Sequence, residues 1–158
     1  MIAAKIMIAQ PKTCTTDEQV GVVFDRMRMQ SLRMLPVVDA DGVLKGVLST
    51  FSVLGRIVPD YIVSGDLNAI AYAPDLGLLR KHYTTVSDQP VAEIMETTYL
   101  AVGANESLLS VAAALIGFGK HEYALVVEKG GRLLGIISAG DILDSLLQIT
   151  EDGRYSDA

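Results

Sequence analysis

The sequence predicts an α/β (α+β) protein made of two β-α-β-β-α repeats packed about a pseudo-twofold axis. Three observations carry that prediction. The first is an internal duplication. Leu35-Pro36-Val37-Val38-Asp39, Gly42 and Gly46-Val47-Leu48-Ser49 return as Ala124-Leu125-Val126-Val127-Glu128, Gly131 and Gly135-Ile136-Ile137-Ser138, each 89 positions later. Earlier in each copy, Met7 and Met95, Asp17 and Asn105, and Glu18 and Glu106 match at a spacing of 88, so a one-residue indel reconciles the two offsets. A long period used only twice marks a duplicated unit rather than a solenoid. The second observation is the alternation of helical spacing with short continuous apolar runs. The third is composition: half of the 158 residues are apolar and mean hydropathy is +0.36. Buried strands or an oligomer interface absorb such an excess.

The first repeat is assigned to residues 1–58. Its opening, Met1 to Gln10, reads as structure rather than a signal peptide, because Lys5 interrupts it and no longer apolar region follows. Lys12 to Thr15 is a short strand, and Thr16-Asp17-Glu18 is an N-cap signal. Val20, Val23, Phe24, Met27 and Leu32 recur at helical spacing over about 13 residues. Met34 to Asp39 is a strand, Asp39 to Gly42 a tight turn, and Val43 to Leu48 the returning strand of a hairpin. Ser49 then caps a short helix through Val53, Leu54 and Ile57, which Pro59 stops.

Residues 59–89 are too long for a plain connection and read as an inter-repeat helical linker. The second repeat, 90–150, opens with a short helix that has Pro90 at its first position. Tyr99 to Val102 is a strand. Asn105 caps a helix through Leu108, Leu109, Ala112 and Leu115, which Gly117 and Gly119 end. Ala124 to Glu128 and Leu133 to Ile137 form the hairpin, and Ser138 caps the helix of Ile142, Leu143, Leu146 and Leu147. Residues 151–158 are a polar tail.

Composition also excludes. A net charge of −6 and a pI of about 4.8 argue against general nucleic-acid binding, which needs cationic surface to release counterions. No run approaches the ~18 apolar residues of a membrane span. A lone Cys14 and no export signal predict a cytoplasmic protein with one inert, buried thiol. Met27, Met29 and Met34 suit core filling, and Gly130-Gly131 is a hairpin turn rather than a phosphate loop. The sequence offers no Ser-His-acid order, no metal spacing among Cys14, His82 and His121, and no paired carboxylates in a cleft. The prediction is no catalysis, no metal and no catalytic cofactor.

Ile6-Met7 and Ile94-Met95 each lead into a strand and a capped helix; Leu-Pro-Val-Val-Asp, a turn glycine and Gly-Ile-Ile-Ser-x-x-Asp complete the pattern. This ordered set resembles the tandem CBS domain, named after cystathionine β-synthase, whose paired form is the Bateman module. The likeness covers roughly residues 1–57 and 88–150 and implies a free-standing pair. It implies a regulatory module that senses an adenosyl ligand (AMP, ADP, ATP, S-adenosylmethionine or NADH). It also implies a homodimer acting through a conformational change on an unknown target protein. The alternative is a ligand-free dimerisation or scaffold module with the 59–89 segment as its docking surface.

Carried over residue by residue, the resemblance assigns Asp141 to the ribose hydroxyls and Ser138 to phosphate, with Gly140 letting a ligand approach the backbone. Ser138-x-x-Asp141 is equally the pattern of an N-cap with an acidic third position, and one carboxylate can serve both roles. The first copy has Ser52 in place of the acid and Phe51 in place of Gly140, so one competent site is expected rather than two. The likeness further implies that Arg33 supplies a cation to phosphate, where the second copy has Glu122. Thr97, Val102, His121 and Tyr123 are expected to line the adenosine.

Overall fold

A computed structural model of the chain describes residues 1–65 and 75–148. In chain order the elements are α1 (Ala3–Ile6), β1 (Ile8–Ala9), β2 (Cys14–Thr15), α2 (Val20–Met29), β3 (Met34–Val38), β4 (Leu44–Ser49), α3 (Thr50–Ile57) and α4 (Asp60–Ser64). There follow α5 (Asp75–Ser87), α6 (Val91–Ile94), β5 (Ala101–Gly103), α7 (Leu108–Phe118), β6 (Tyr123–Val127), β7 (Leu133–Ser138) and α8 (Ala139–Leu146). The β-α-β-β-α order occurs twice, as the sequence predicts. The predicted polar tail at 151–158 lies outside the described residues.

The compact units do not follow the sequence halves. One contains Met1–Lys12, Ala40–Leu44 and the chain from Thr98; the other contains Thr13–Asp39 and Lys45–Thr97. In the first unit the sheet order is β1-β7-β6-β5, so the opening residues of the chain complete the sheet of the second repeat. β1 runs antiparallel to β7 with Ile8 opposite Ile136 and Ala9 opposite Gly135. β5 is parallel to β6, and β6 and β7 form the hairpin, with a register shift between Val126 and Val127. In the second unit the order is β2-β3-β4, and Val47 of β4 exchanges two backbone hydrogen bonds, 2.9 and 2.8 Å, with Glu96 just beyond α6.

Two glycines make this arrangement possible. A Cβ placed on Gly135 would stand 2.6 Å from Met7 Sδ and 2.8 Å from the Ile8 carbonyl oxygen. A Cβ on Gly46 would stand 2.9 Å from Met95 Sδ and 2.7 Å from the Glu96 carbonyl oxygen. Each methionine therefore lies flat on a bare strand backbone that no larger residue leaves open. The need is steric rather than conformational, since neither glycine has a positive φ.

Each unit has its own core. Val20, Val23 and Met27 of α2 pack with Leu35, Val37 and Leu48 of the sheet, and Val86, Val91 and Ile94 close the cluster. In the other unit Ala3, Val102, Val111, Leu115, Ala124, Val126 and Ile137 are packed together. Cys14 is buried at 1% exposure, and its thiol is pushed up to about 12 by burial, then by the neighbouring Glu18 charge, against a smaller opposing effect of Arg26.

Several local expectations are corrected. Thr16-Asp17-Glu18 does not cap α2, whose N-cap is Gln19 with no side-chain bond. Instead Glu18 accepts from the Thr15 N–H (2.9 Å) and pairs bidentately with Arg26, at 2.8 and 3.2 Å. The helix ends at Met29 and is 10 residues long rather than 13. The cap of α7 is Ser107, which accepts from Ser110 N–H, and not Asn105. Gly117 lies inside that helix; Gly119, at φ 66°, ends it in the left-handed conformation. Pro90 is the N-cap of α6 rather than its first residue.

Replacing Gly135 or Gly46 by Ala is expected to cost about 1–3 kcal/mol through overpacking. Gly117→Ala, with nothing within 4 Å of the added methyl, is expected to gain up to about 1 kcal/mol. Urea unfolding of the three variants checks both signs.

The Arg26 hydrogen bond holds the Glu18 carboxyl below its usual range. The pair's contribution is present above about pH 4.3, the ordinary value of a glutamate, and is lost as pH falls below it. Both side chains are about a third exposed, at 36% and 30%, so the contribution is at most about 1 kcal/mol. Glu18→Gln should flatten the acid limb of the stability–pH curve measured by chemical denaturation, while lowering stability at neutral pH.

Candidate functional site

β7 ends at Ser138, whose extended backbone (φ −93°, ψ 162°) makes it the N-cap of α8. Its hydroxyl oxygen accepts from Asp141 N–H at 3.0 Å, and Asp141 Oδ2 accepts from Ser138 N–H at 2.8 Å. This reciprocal capping box pins the carboxylate. The next strand joins the site through its start: Tyr123 is opposite Ser138 in register, and the Glu122 carbonyl accepts from Ala139 N–H at 2.9 Å. His121 lies just before, its ring 5.9 Å from Phe118 and tilted 37°.

What remains open at this tip is specific. Asp141 Oδ1 takes no hydrogen bond among the described residues. The N–H groups of Ala139 and Asp141 are engaged, which leaves Gly140 as the first-turn donor without a partner among the described residues. Gly140 is exposed, and a Cβ there would meet only Ser138 Oγ, at 3.5 Å. Ser138 and Asp141 are half-buried. The Ser138 hydroxyl accepts in the box and keeps its proton for donation. An acceptor oxygen, a backbone donor and a hydroxyl thus sit at the positive end of a helix, an arrangement suited to a ligand carrying hydroxyls and an anion.

The tip of α3 has the same box and a different outcome. Ser49 Oγ accepts from Ser52 N–H at 2.9 Å, and Ser52 Oγ accepts from Ser49 N–H at 3.0 Å. Ser52 is 8% exposed, and its hydroxyl donates to Glu96 Oε1 at 3.1 Å. Phe51 stands 75% exposed where Gly140 is open. The side-chain group that matches the Asp141 carboxylate is thus engaged by the protein's own Glu96. Sequence reasoning missed Glu96, because nothing local marks a residue that arrives from 44 positions away; the signal available was its place directly after the repeated Met95.

The other predicted residues divide. Arg33 and Thr97 are exposed and belong to the unit of α3; the Arg33 carbonyl accepts from Thr50 N–H at 2.9 Å, as Glu122 does from Ala139. Val102 is a correction. At 3% exposure its side chain fills the core beneath β5, so it does not line an open surface. His121 and Tyr123 are half-buried beside the α8 tip. Among the described residues, no three of His, Cys, Asp and Glu group as metal ligands.

The family model for the CBS domain matches residues 3–59 and 91–148. A CBS domain-containing protein of Dictyostelium discoideum is 26% identical over 151 residues, spanning 96% of this chain and 94% of its own. A CBS domain-containing protein of unknown function from Bacillus anthracis has a similar structure, with a TM-score of 0.74, 15% identity and 95% of each chain covered. A putative acetoin utilization protein (AcuB) from Vibrio cholerae gives 0.73 at 21% identity, covering 98% of each chain. CBSX2, solved in complex with AMP, gives 0.71 at 21% identity, covering 94% of this chain and 97% of its own.

Removing either cap hydroxyl should be measurable. Ser138→Ala is expected to cost about 0.5–2 kcal/mol, as N-cap deletions do. Ser49→Ala should cost more, because it also strips a partner from the buried Ser52 hydroxyl. Guanidinium unfolding of the two variants side by side checks the order.

Proposed function

The chain belongs to the CBS domain family, and on that premise we propose that it is a regulatory, non-catalytic module sensing an adenosyl ligand at the tip of α8. One observation carries the proposal. Among the described residues, Asp141 is fixed by its capping bond yet keeps Oδ1 open, beside the Gly140 N–H, which has no partner there, and the Ser138 hydroxyl. A ribose diol donates to Oδ1, and a phosphate or carboxylate accepts from Gly140 N–H and Ser138 Oγ–H. His121 and Tyr123 offer the half-buried flank for adenine. CBSX2 binds AMP, which supports the ligand class. Arg33 and Thr97 remain in this reading on the family resemblance alone. The engagement of the Ser52 hydroxyl by Glu96 at the α3 tip favours one site over two.

Such a ligand acts by binding one arrangement of the protein better than another, and that difference is what a target protein reads. Self-association belongs to the same reading. Phe51 and Leu54 on α3 in one unit, and Leu143 and Leu146 on α8 in the other, are large apolar side chains left between 48% and 75% exposed, and each pair is suited to packing against a second copy. Among the described residues no helix is long and apolar enough to cross a membrane. A cytoplasmic setting is part of the proposal and rests on the single free Cys14.

Calorimetric titration with AMP, ADP, ATP, S-adenosylmethionine and NADH tests the site. Wild type should bind at least one of them, and Asp141→Ala should bind it about 10–100-fold more weakly, the loss of charge-assisted hydrogen bonds. Equal affinity in the variant removes Asp141 from the site. If wild type ignores the whole panel, the scaffold reading replaces this one.

A further inference from the structure

The unit of α3, α5 and α6 carries a polar pocket of about 240 Å³, lined by Arg56, His82, Thr85, Val86 and Gln89. We propose that it binds a small phosphate-type oxyanion, independently of the α8 tip. Two nitrogen-bearing side chains from different helices, Arg56 and His82, converge there, and each is held from behind by a main-chain carbonyl. Arg56 donates from Nη2 to the Glu93 carbonyl at 2.9 Å, leaving Nε and Nη1 of the fork. His82 Nδ1 lies 2.9 Å from the Ile57 carbonyl. A carbonyl only accepts, so Nδ1 carries a proton, and Nε2 is left either to accept from a P–OH of a hydrogen phosphate or, when it is protonated too, to donate to a phosphate oxygen.

The rest of the lining fits the same class of ligand. No Asp or Glu lines the pocket, although the chain as a whole carries a net charge of −6. Arg56 makes no ion pair among the described residues. The Thr85 hydroxyl is engaged by the Lys81 carbonyl at 3.3 Å, so the Gln89 amide is the neutral donor, and buried Val86 forms an apolar floor. The volume falls below the ~300–1,000 Å³ of pockets for drug-sized ligands, which favours an ion over a nucleotide. The arginine is not repeated in the duplication: Ser145, at the place of Arg56 in the second copy, has its hydroxyl on the Ile142 carbonyl.

Titration of the full chain with inorganic phosphate at constant ionic strength, followed by amide chemical shifts, tests the proposal. Saturable shifts are expected around Arg56 and along residues 82–89. Arg56→Gln should weaken binding at least about tenfold, the loss of a charge-assisted bidentate contact. His82→Gln, whose amide can still donate to the Ile57 carbonyl, should weaken it as well without loss of thermal stability. Asp141→Ala should bind phosphate as wild type does, which separates this site from the adenosyl site. Non-saturating shifts, shifts confined to the α8 tip, or unchanged affinity in Arg56→Gln would overturn the proposal.

Discussion

The contact on which this structure depends is a methionine side chain lying across a bare glycine backbone. Met7 covers Gly135 and Met95 covers Gly46, each within a distance that a single added carbon would violate. The consequence is topological. Each hairpin is completed by the residues that introduce the other repeat, so neither compact unit is built from one half of the sequence alone. The same contact places the residue after each methionine. After Met95 comes Glu96, whose backbone pairs with Val47 and whose carboxylate reaches Ser52. After Met7 comes Ile8, which pairs with Ile136 and brings no polar group. One steric device thus settles both the fold and the difference in chemistry between the two helix tips.

The duplication acts as its own comparison. Glu18 and Glu106 share a place and a task, since each accepts from the backbone N–H of a residue three before it, Thr15 in one case and Gly103 in the other. Only Glu18 adds an ion pair, because Ala114 occupies the position of Arg26. Glu106 has the Ser110 hydroxyl instead, at 3.4 Å. An ion pair a third exposed contributes little, so its absence from one copy leaves the shared backbone bond to hold the turn. What both copies keep is the bond that fixes the chain; what they vary is the charge around it.

Much of the fold was legible because its signals are local. The apolar runs of β3, β4, β6 and β7, the turn at Gly42 (φ 78°) and the caps at Ser49 and Ser138 each announce themselves within a few residues. The caps of α2 and α7 were misread because short polar side chains compete for the same role: Ser107 stands two residues after Asn105, and Glu18 is drawn away by Arg26. The exchange of the opening segments was not legible, because a repeat shows which residues correspond and not which copy they pack against. Val102 was placed at the ligand for a similar reason. Its strand alternates, and only the pairing of β5 with β6 decides that Val102 faces inward while Ala101 is exposed.

The two helix tips then differ in how completely the protein satisfies them. At α3, the Ser52 hydroxyl both accepts and donates, and it is buried; a ligand there would have to displace bonds the fold already has. At α8, the same capping geometry is achieved with one oxygen of a carboxylate, and the second oxygen is surplus to it. That surplus is already oriented, because the 2.8 Å bond to Ser138 N–H fixes the side chain before any ligand arrives, so little rotamer freedom is left to lose on binding. It also ties ligand to fold. A group bound to Asp141 and Gly140 would hold the junction of β7 and α8, so occupancy would stabilise the unit that contains them by mass action, whereas at α3 the Ser52 hydroxyl is already engaged by Glu96.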